Sequence, residues 1–391
     1  MVDIGGNCML ASTMLLTVMS FLSMFFLGVG ITIVGAAARN IGLTPFQIGL
    51  LISIQNIGFL LSVTISGSLA DTFDKPRILF IGSFILAVSF FCFYLRQSFY
   101  LNLFIMFFIG AGIGTYEGVT DPMLLDLHEG KESLFININH FFVTFGCLMI
   151  TLYLVFLQMN WRQSMIRSGI IVLCLAFIFG LTRIKGTQKT SEGFYERFRF
   201  LKRQKIVLVF YFATVCAIGL ETCIIGIMTT FLMELRGLTQ VTSKIGLIIF
   251  LSGIGLGRLC AGFVARREKI LDLIILLFGL ATLFLTGLFL IKSAPLTYAM
   301  VLLSGLTVSA LFPLLIALAG ILYKSMAGTV LGIIKLALPS GGILIPLALS
   351  VISRYSSFEI SLFLFPLIAL AGFLAVLLSR RALNAHYAEL V

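Results

Sequence analysis

The sequence predicts an all-α membrane protein, twelve transmembrane helices in two six-helix bundles. Three observations carry that prediction. Of the 391 residues, 60% are hydrophobic and only 11% charged, against roughly 45–50% and about 25% in ordinary soluble domains. The apolar residues fall in runs close to the ~20 residues a helix needs to cross hydrocarbon. The second half of the chain also repeats the first.

Taken in order, the first run, 10–37, lacks a basic leader and is too long for a cleavable signal, so it reads as span one. Spans two to six cover 45–70, 77–95, 100–125, 134–158 and 164–183. The stretch 184–205 (IKGTQKTSEGFYERFRFLKRQK) is the one long polar segment, a linker able to lie on the membrane as an amphipathic helix. Spans seven to twelve cover 206–233, 243–264, 271–291, 296–322, 328–352 and 359–379. The expected organisation is an N-terminal bundle over 1–183, the linker, and a C-terminal bundle over 206–391.

The repeat is visible directly. "IGLLISIQNIG" at 48–58 and "IGLIIFLSGIG" at 245–255 agree at six of eleven positions, at an offset of 197. Gly67, Gly110 and Gly146 have counterparts in Gly262, Gly305 and Gly341, each 195 residues on. Two six-span halves of equal orientation form a parallel repeat, the plan of one large transporter architecture with substrate held near the midplane.

The net charge of +11 reads as orientation. With both termini inside, cytoplasmic segments hold 17 of the 27 Lys and Arg, eight of them between Arg183 and Lys205. That is the positive-inside bias, with anionic lipid and not nucleic acid as the contact implied. The seven cysteines (Cys8, Cys92, Cys147, Cys174, Cys216, Cys223, Cys260) form no CxxC pair, and neither a disulfide framework nor a metal site is expected. "GAGIG" at 110–114 sits inside an apolar helix without the strand or spacing of a nucleotide fingerprint. With no nucleophile–base pair or phosphate loop, no enzyme and no cofactor are expected, and transport would be driven by an ion gradient.

Polar residues inside the spans are the candidate site. An ionised group at mid-bilayer costs about 2.5–3.5 kcal/mol even on the lenient insertion scale, so such groups mark function by default. In "GIGTYEGVTDPMLLDL", 112–127, Glu117 and Asp121 lie one helical turn apart on a shared face. Gly110, Gly114 and Gly118 form a second stripe that admits a close neighbour helix. Hydrocarbon disfavours the charged form of a carboxyl, so Glu117 is expected to exchange protons, against the alternative of a structural hydrogen bond. Asp121 lies nearer the cytoplasmic end, facing substrate or simply water. Pro122 removes a helix hydrogen bond and is a gate hinge or a passive kink.

In span five Asn137, His140 and Thr144 share a face, with donors and acceptors suited to a polyol. Imidazole changes charge between pH 5 and 8 when unperturbed, which makes His140 a second proton-coupling candidate. Glu221 stands about 15 residues into span seven, roughly 22 Å along it, lining a cavity or packing structurally. Lys335, inside span eleven, either snorkels to the surface or binds an anion or neutralises Glu117 or Glu221. Arg258, near the inner end of span eight, is expected to pair structurally. Asp71 ends span two and should meet a helix N-terminus, where a carboxylate is favoured.

The loop after span two, "GSLADTFDKPR" at 67–77, resembles the G-x-x-x-D-R-x-G-R-R signature of the major facilitator superfamily, with Gly67, Asp71, Lys75 and Arg77 matching. "GLGRLCAGFVARR", 255–267, is similar to its weaker second copy. "GAGIGTYEGVTDP" with "ININHFFVTFG" (136–146) resembles the fucose–proton symporter branch. That resemblance implies an essential acid at Glu117, Asp121 where the branch has Asn, Asn137 as its Asn, and His140 at its sugar-contacting Gln. Gly35 stands where the branch carries an Asp. The resemblance implies alternating-access symport of a small polar solute, such as a sugar, with protons, by a monomer in a plasma (inner) membrane. An exporter of amphiphilic compounds and a transporter-derived sensor or scaffold are the alternatives.

Overall fold

The computed structural model describes residues 9–10, 13–43, 45–156, 160–184 and 194–388; residues 185–193 of the expected linker lie outside them. The helices are α1 (Thr13–Ile41), α2 (Pro45–Leu69), α3 (Lys75–Cys92), α4 (Phe99–Leu127), α5 (Glu132–Phe156), α6 (Trp161–Leu181), α7 (Phe194–Arg203), α8 (Lys205–Arg236) and α9 (Gln240–Val264). They continue as α10 (Ile270–Leu290), α11 (Ala294–Ser309), α12 (Leu311–Leu322), α13 (Ala327–Lys335), α14 (Ala337–Tyr355), α15 (Phe358–Leu362), α16 (Leu364–Leu378) and α17 (Arg380–Ala388). A two-residue parallel pairing of Met9–Leu10 with Thr182–Arg183 is the one sheet among the described residues. Twelve helical runs among them are long and apolar enough to cross a membrane.

Local chemistry sets the ends. Asn160 caps α6 by accepting from the Arg162 N–H at 2.9 Å, and Thr239 caps α9 by accepting from Thr242, each meeting an orphan donor of the first turn. Gly237, at φ 64°, ends α8 in the left-handed region that glycine tolerates.

Three spans expected to be continuous are broken, and proline is the cause. The breaks fall at Ala310, Leu336 and Phe363, each three residues before a proline (Pro313, Pro339, Pro366) that cannot donate to the preceding turn. The freed carbonyl of Ser309 accepts instead from Arg258 Nε at 3.3 Å. Pro122 lies inside an uninterrupted α4.

The chain packs as two compact units. One comprises Met1–Glu129, Asn139–Phe198 and Tyr323–Gly332; the other comprises Gly130–Ile138, Arg199–Leu322 and Ile333–Val391. Residues 130–138, which include the start of α5, belong to the second unit, and residues 323–332, which include the start of α13, to the first. The first unit is centred on Leu79, Leu86, Phe90, Ile113, Tyr116 and Phe179. The second is centred on Leu220, Phe231, Phe250, Leu285 and Phe365. Large apolar side chains such as Phe104, Leu283 and Leu367 stand exposed, as lipid-facing residues must.

Glycine permits the closest helix crossings, and the repeat shows in them. A Cβ on Gly110 of α4 would lie 2.0 Å from the Gln55 carbonyl oxygen of α2, and one on its counterpart Gly305 of α11 would lie 2.5 Å from that of Phe250 in α9. Gly146 and Gly341 are likewise pressed against Phe25 and Val215. Without a hydrophobic drive between helices in lipid, such backbone approach is what packing has to offer.

Candidate functional site

The α2–α4 crossing fixes the rotation of α4. With its glycine edge against α2, its other faces carry Tyr116, Glu117, Thr120 and Asp121, all buried. Tyr116 donates to Ser83 Oγ at 2.8 Å, and Thr120 donates to the Tyr116 carbonyl. Against this α5 places His140, whose Nε2 lies 3.0 Å from Asp121 Oδ2. Asn139 donates through Nδ2 to Asp121 Oδ1 at 2.9 Å and to Thr120 Oγ1 at 3.1 Å. One ligating atom each from Glu117, Asp121 and His140 lie within 4.8 Å of one another. Their side chains are 4%, 0% and 3% exposed.

Two carboxyls and an imidazole in one dry volume carry several possible charge states. Charge buried without compensation is costly, so a cation or protons must balance the acids.

The structure thus gathers three of the residues singled out by sequence and adds Asn139. Asn139 escaped the sequence reading because it lies two residues from Asn137, off the 137–140–144 face. Asp121 nevertheless reaches Asn139 and His140 together. Asn137 belongs to the other compact unit, where it donates to the Ser133 carbonyl at 2.8 Å.

Glu221 is held by Arg258, whose Nη2 donates to Oε1 at 2.7 Å and to Oε2 at 3.0 Å. The pair is a compensated charge in the second unit, tied through Arg258 to the α11–α12 break. Lys335 ends α13, where helix carbonyls favour a cation. It is fully buried, so its ammonium does not snorkel to the surface.

Asp71 is the centre of a separate cluster. Its Oδ1 accepts from the Gly328 N–H at 2.7 Å and its Oδ2 from the Thr329 N–H at 2.8 Å, at the N-terminus of α13. Arg197 of α7, itself buried, donates to Asp71 at 2.7 Å and to Ser68. Burial pushes the Asp71 carboxyl up, opposed by Thr329, Gly328 and Arg197. Gly67 lets α13 approach, since a Cβ on it would lie 2.8 Å from the Gly328 carbonyl oxygen. Lys75 pairs with Asp126 at 2.6 Å, and Arg77 is exposed. Arg197 had no signal in the sequence beyond being one of several linker cations.

Twelve spans with ionisable groups buried among them define a multi-pass integral membrane protein of the transporter class. The chain belongs to the major facilitator superfamily, whose family model matches residues 13–346. A curated relative, the glucose/mannose transporter GlcP of Bacillus subtilis (strain 168), is 22% identical over 353 residues, covering 82% of this chain and 84% of its own length. Among solved structures, the E. coli fucose:proton symporter FucP superposes with a TM-score of 0.76 at 17% identity, covering 94% of this chain and 98% of its own. The human organic anion transporter MFSD10 (TETRAN) gives 0.75 at 14%, covering 94% and 100%. At those identities the structural likeness establishes the fold alone.

Proposed function

We propose that the protein is a proton-coupled symporter of a small polar solute, a sugar being the favoured class. One observation carries the reading: Glu117, Asp121 and His140 are buried together, with ligating atoms within 4.8 Å, inside a helix bundle of a transporter family. Glu117 is the proton carrier and His140, through Asp121, a partner in the proton balance. Hydrogen-bonding groups on the same helices serve the solute, and Asn137, Glu221 and Lys335 are candidate solute contacts within their own unit. A glucose/mannose transporter among the relatives and a fucose:proton symporter among the structural neighbours support the substrate class.

In this reading both termini and the linker are cytoplasmic, the chain works as a monomer in the plasma (inner) membrane, and two repeat-related halves provide alternating access. Gly67, Asp71, Lys75, Arg77, Pro122 and Arg258 serve conformation. Purified protein in vesicles should accumulate a radiolabelled sugar when the lumen is made alkaline, and collapse of the proton gradient should stop it. Movement of hydrophobic amines driven by the proton gradient in the same vesicles, without sugar uptake, would favour a proton-driven exporter instead. A carrier of organic anions is a second reading, favoured by the buried Lys335 cation.

A further inference from the structure

We infer that Glu117, Asp121 and His140 form a binding site for one divalent first-row transition-metal ion of the Zn2+, Co2+ or Ni2+ class. The three side chains come from two helices, are buried, and bring one ligating atom each within 4.8 Å of the others. One imidazole nitrogen and two carboxylate oxygens suit borderline metals, whereas Ca2+ and Mg2+ take oxygen ligands. In a tetrahedral site with bonds of about 2.0–2.2 Å the donors stand roughly 3.3 Å apart. Asp121 Oδ2 and His140 Nε2, 3.0 Å apart, are already close to that spacing. Glu117 brings the third ligating atom within 4.8 Å of these two.

Asn139 is an independent sign. Its Nδ2 donates to Asp121 Oδ1 at 2.9 Å and to Thr120 at 3.1 Å, the kind of outer bond that orients a ligating carboxylate. Its Oδ1 is buried and accepts no hydrogen bond among the described residues. A water bound to the ion, polarised and short of an acceptor, is the donor this oxygen lacks. Two carboxyl ligands that give up their protons to the ion would also balance a divalent charge in a volume where unbalanced charge is costly.

An ion there occupies the carboxyl that symport assigns to the proton, so metal arrests the carrier. That consequence rests on the symport reading; the binding itself does not.

The test is a titration of the full, EDTA-treated protein in detergent with Co2+, read by its visible d–d absorption. The expected result is a saturable band at one ion per chain, lost in His140→Gln and weakened about 10–100-fold in Asn139→Leu. No saturable band overturns the site. So does a band unchanged in His140→Gln, which would place the ion on exposed thiols such as Cys174 and Cys260. His140→Asp guards against a folding artefact: it keeps three donors and should shift preference from Co2+ toward Mn2+. A Co2+ spectrum in His140→Asp identical to the wild type also overturns it. Vesicles in which Zn2+ leaves sugar uptake untouched, while Co2+ binding behaves as expected, contradict the symport reading and leave the metal site standing.

Discussion

His140 Nε2 lies 3.0 Å from Asp121 Oδ2, joining α5 to α4 through a contact that is almost wholly buried. Asn139 holds the other oxygen of the same carboxyl, so Asp121 is clamped from both sides. Removing the Asp121 carboxyl leaves the buried groups it meets on Asn139 and His140 without that hydrogen-bond partner.

Asp121→Ala is therefore expected to destabilise the protein by about 1–3 kcal/mol. Asp121→Asn, which keeps an oxygen for Asn139 and a polar group before His140, should lose much less. Thermal unfolding of the purified variants measures this. Equal losses in the two would mean that the clamp is not what Asp121 provides.

Arg258 and Glu221 should behave as one unit. Arg258→Gln leaves the half-buried Glu221 carboxylate without its arginine, and removes the donor to the Ser309 carbonyl. The double variant Glu221→Gln/Arg258→Gln should recover about 1–3 kcal/mol relative to additivity. A double-mutant cycle by thermal or denaturant unfolding gives the coupling directly, and a value near zero would show the pair to be incidental.

Glycine variants separate crossing points from open helix faces. Gly110→Val puts a side chain where even a Cβ meets the Gln55 backbone at 2.0 Å, and Gly305→Val does the same against Phe250. Both should fail to yield monodisperse protein. Gly226→Ala, in α8 with nothing within 4 Å of the added carbon, should be stabilising by roughly 0.5–1 kcal/mol. Size-exclusion yield ranks the three, and well-folded Gly110→Val would break the packing argument.

Orientation can be read from α7. Tyr195 is exposed on the linker side, which the basic excess assigns to the cytoplasm. In a background cleared of reactive thiols, Tyr195→Cys should resist an impermeant maleimide in intact cells and react once the membrane is opened. Labelling of intact cells would invert the topology.

Much of the fold was readable because lipid demands long apolar runs, and those runs are unbroken in the text of the chain. The helix breaks were harder: Pro313, Pro339 and Pro366 interrupt spans that hydropathy alone reads as continuous. At Glu117 and Asp121 the cost of burial made two carboxylates conspicuous, and a resemblance singled out His140. Asn139 and Arg197 were not conspicuous, because their importance lies in partners on other helices. Arg197 meets Asp71 across 126 residues and Gly328 meets it across 257, separations no local spacing rule encodes. The readings open for Lys335 could not be narrowed from sequence, because its burial depends on packing and not on its position along the span.

The central claim, that Glu117 carries the coupled proton, is tested by Glu117→Gln in paired vesicle assays. Gln preserves hydrogen-bonding shape but cannot exchange the proton. The account predicts that pH-driven accumulation is abolished while counterflow of solute across the same membrane largely survives. If Glu117→Gln accumulates solute against its gradient as the wild type does, Glu117 is not the coupling residue and the account fails.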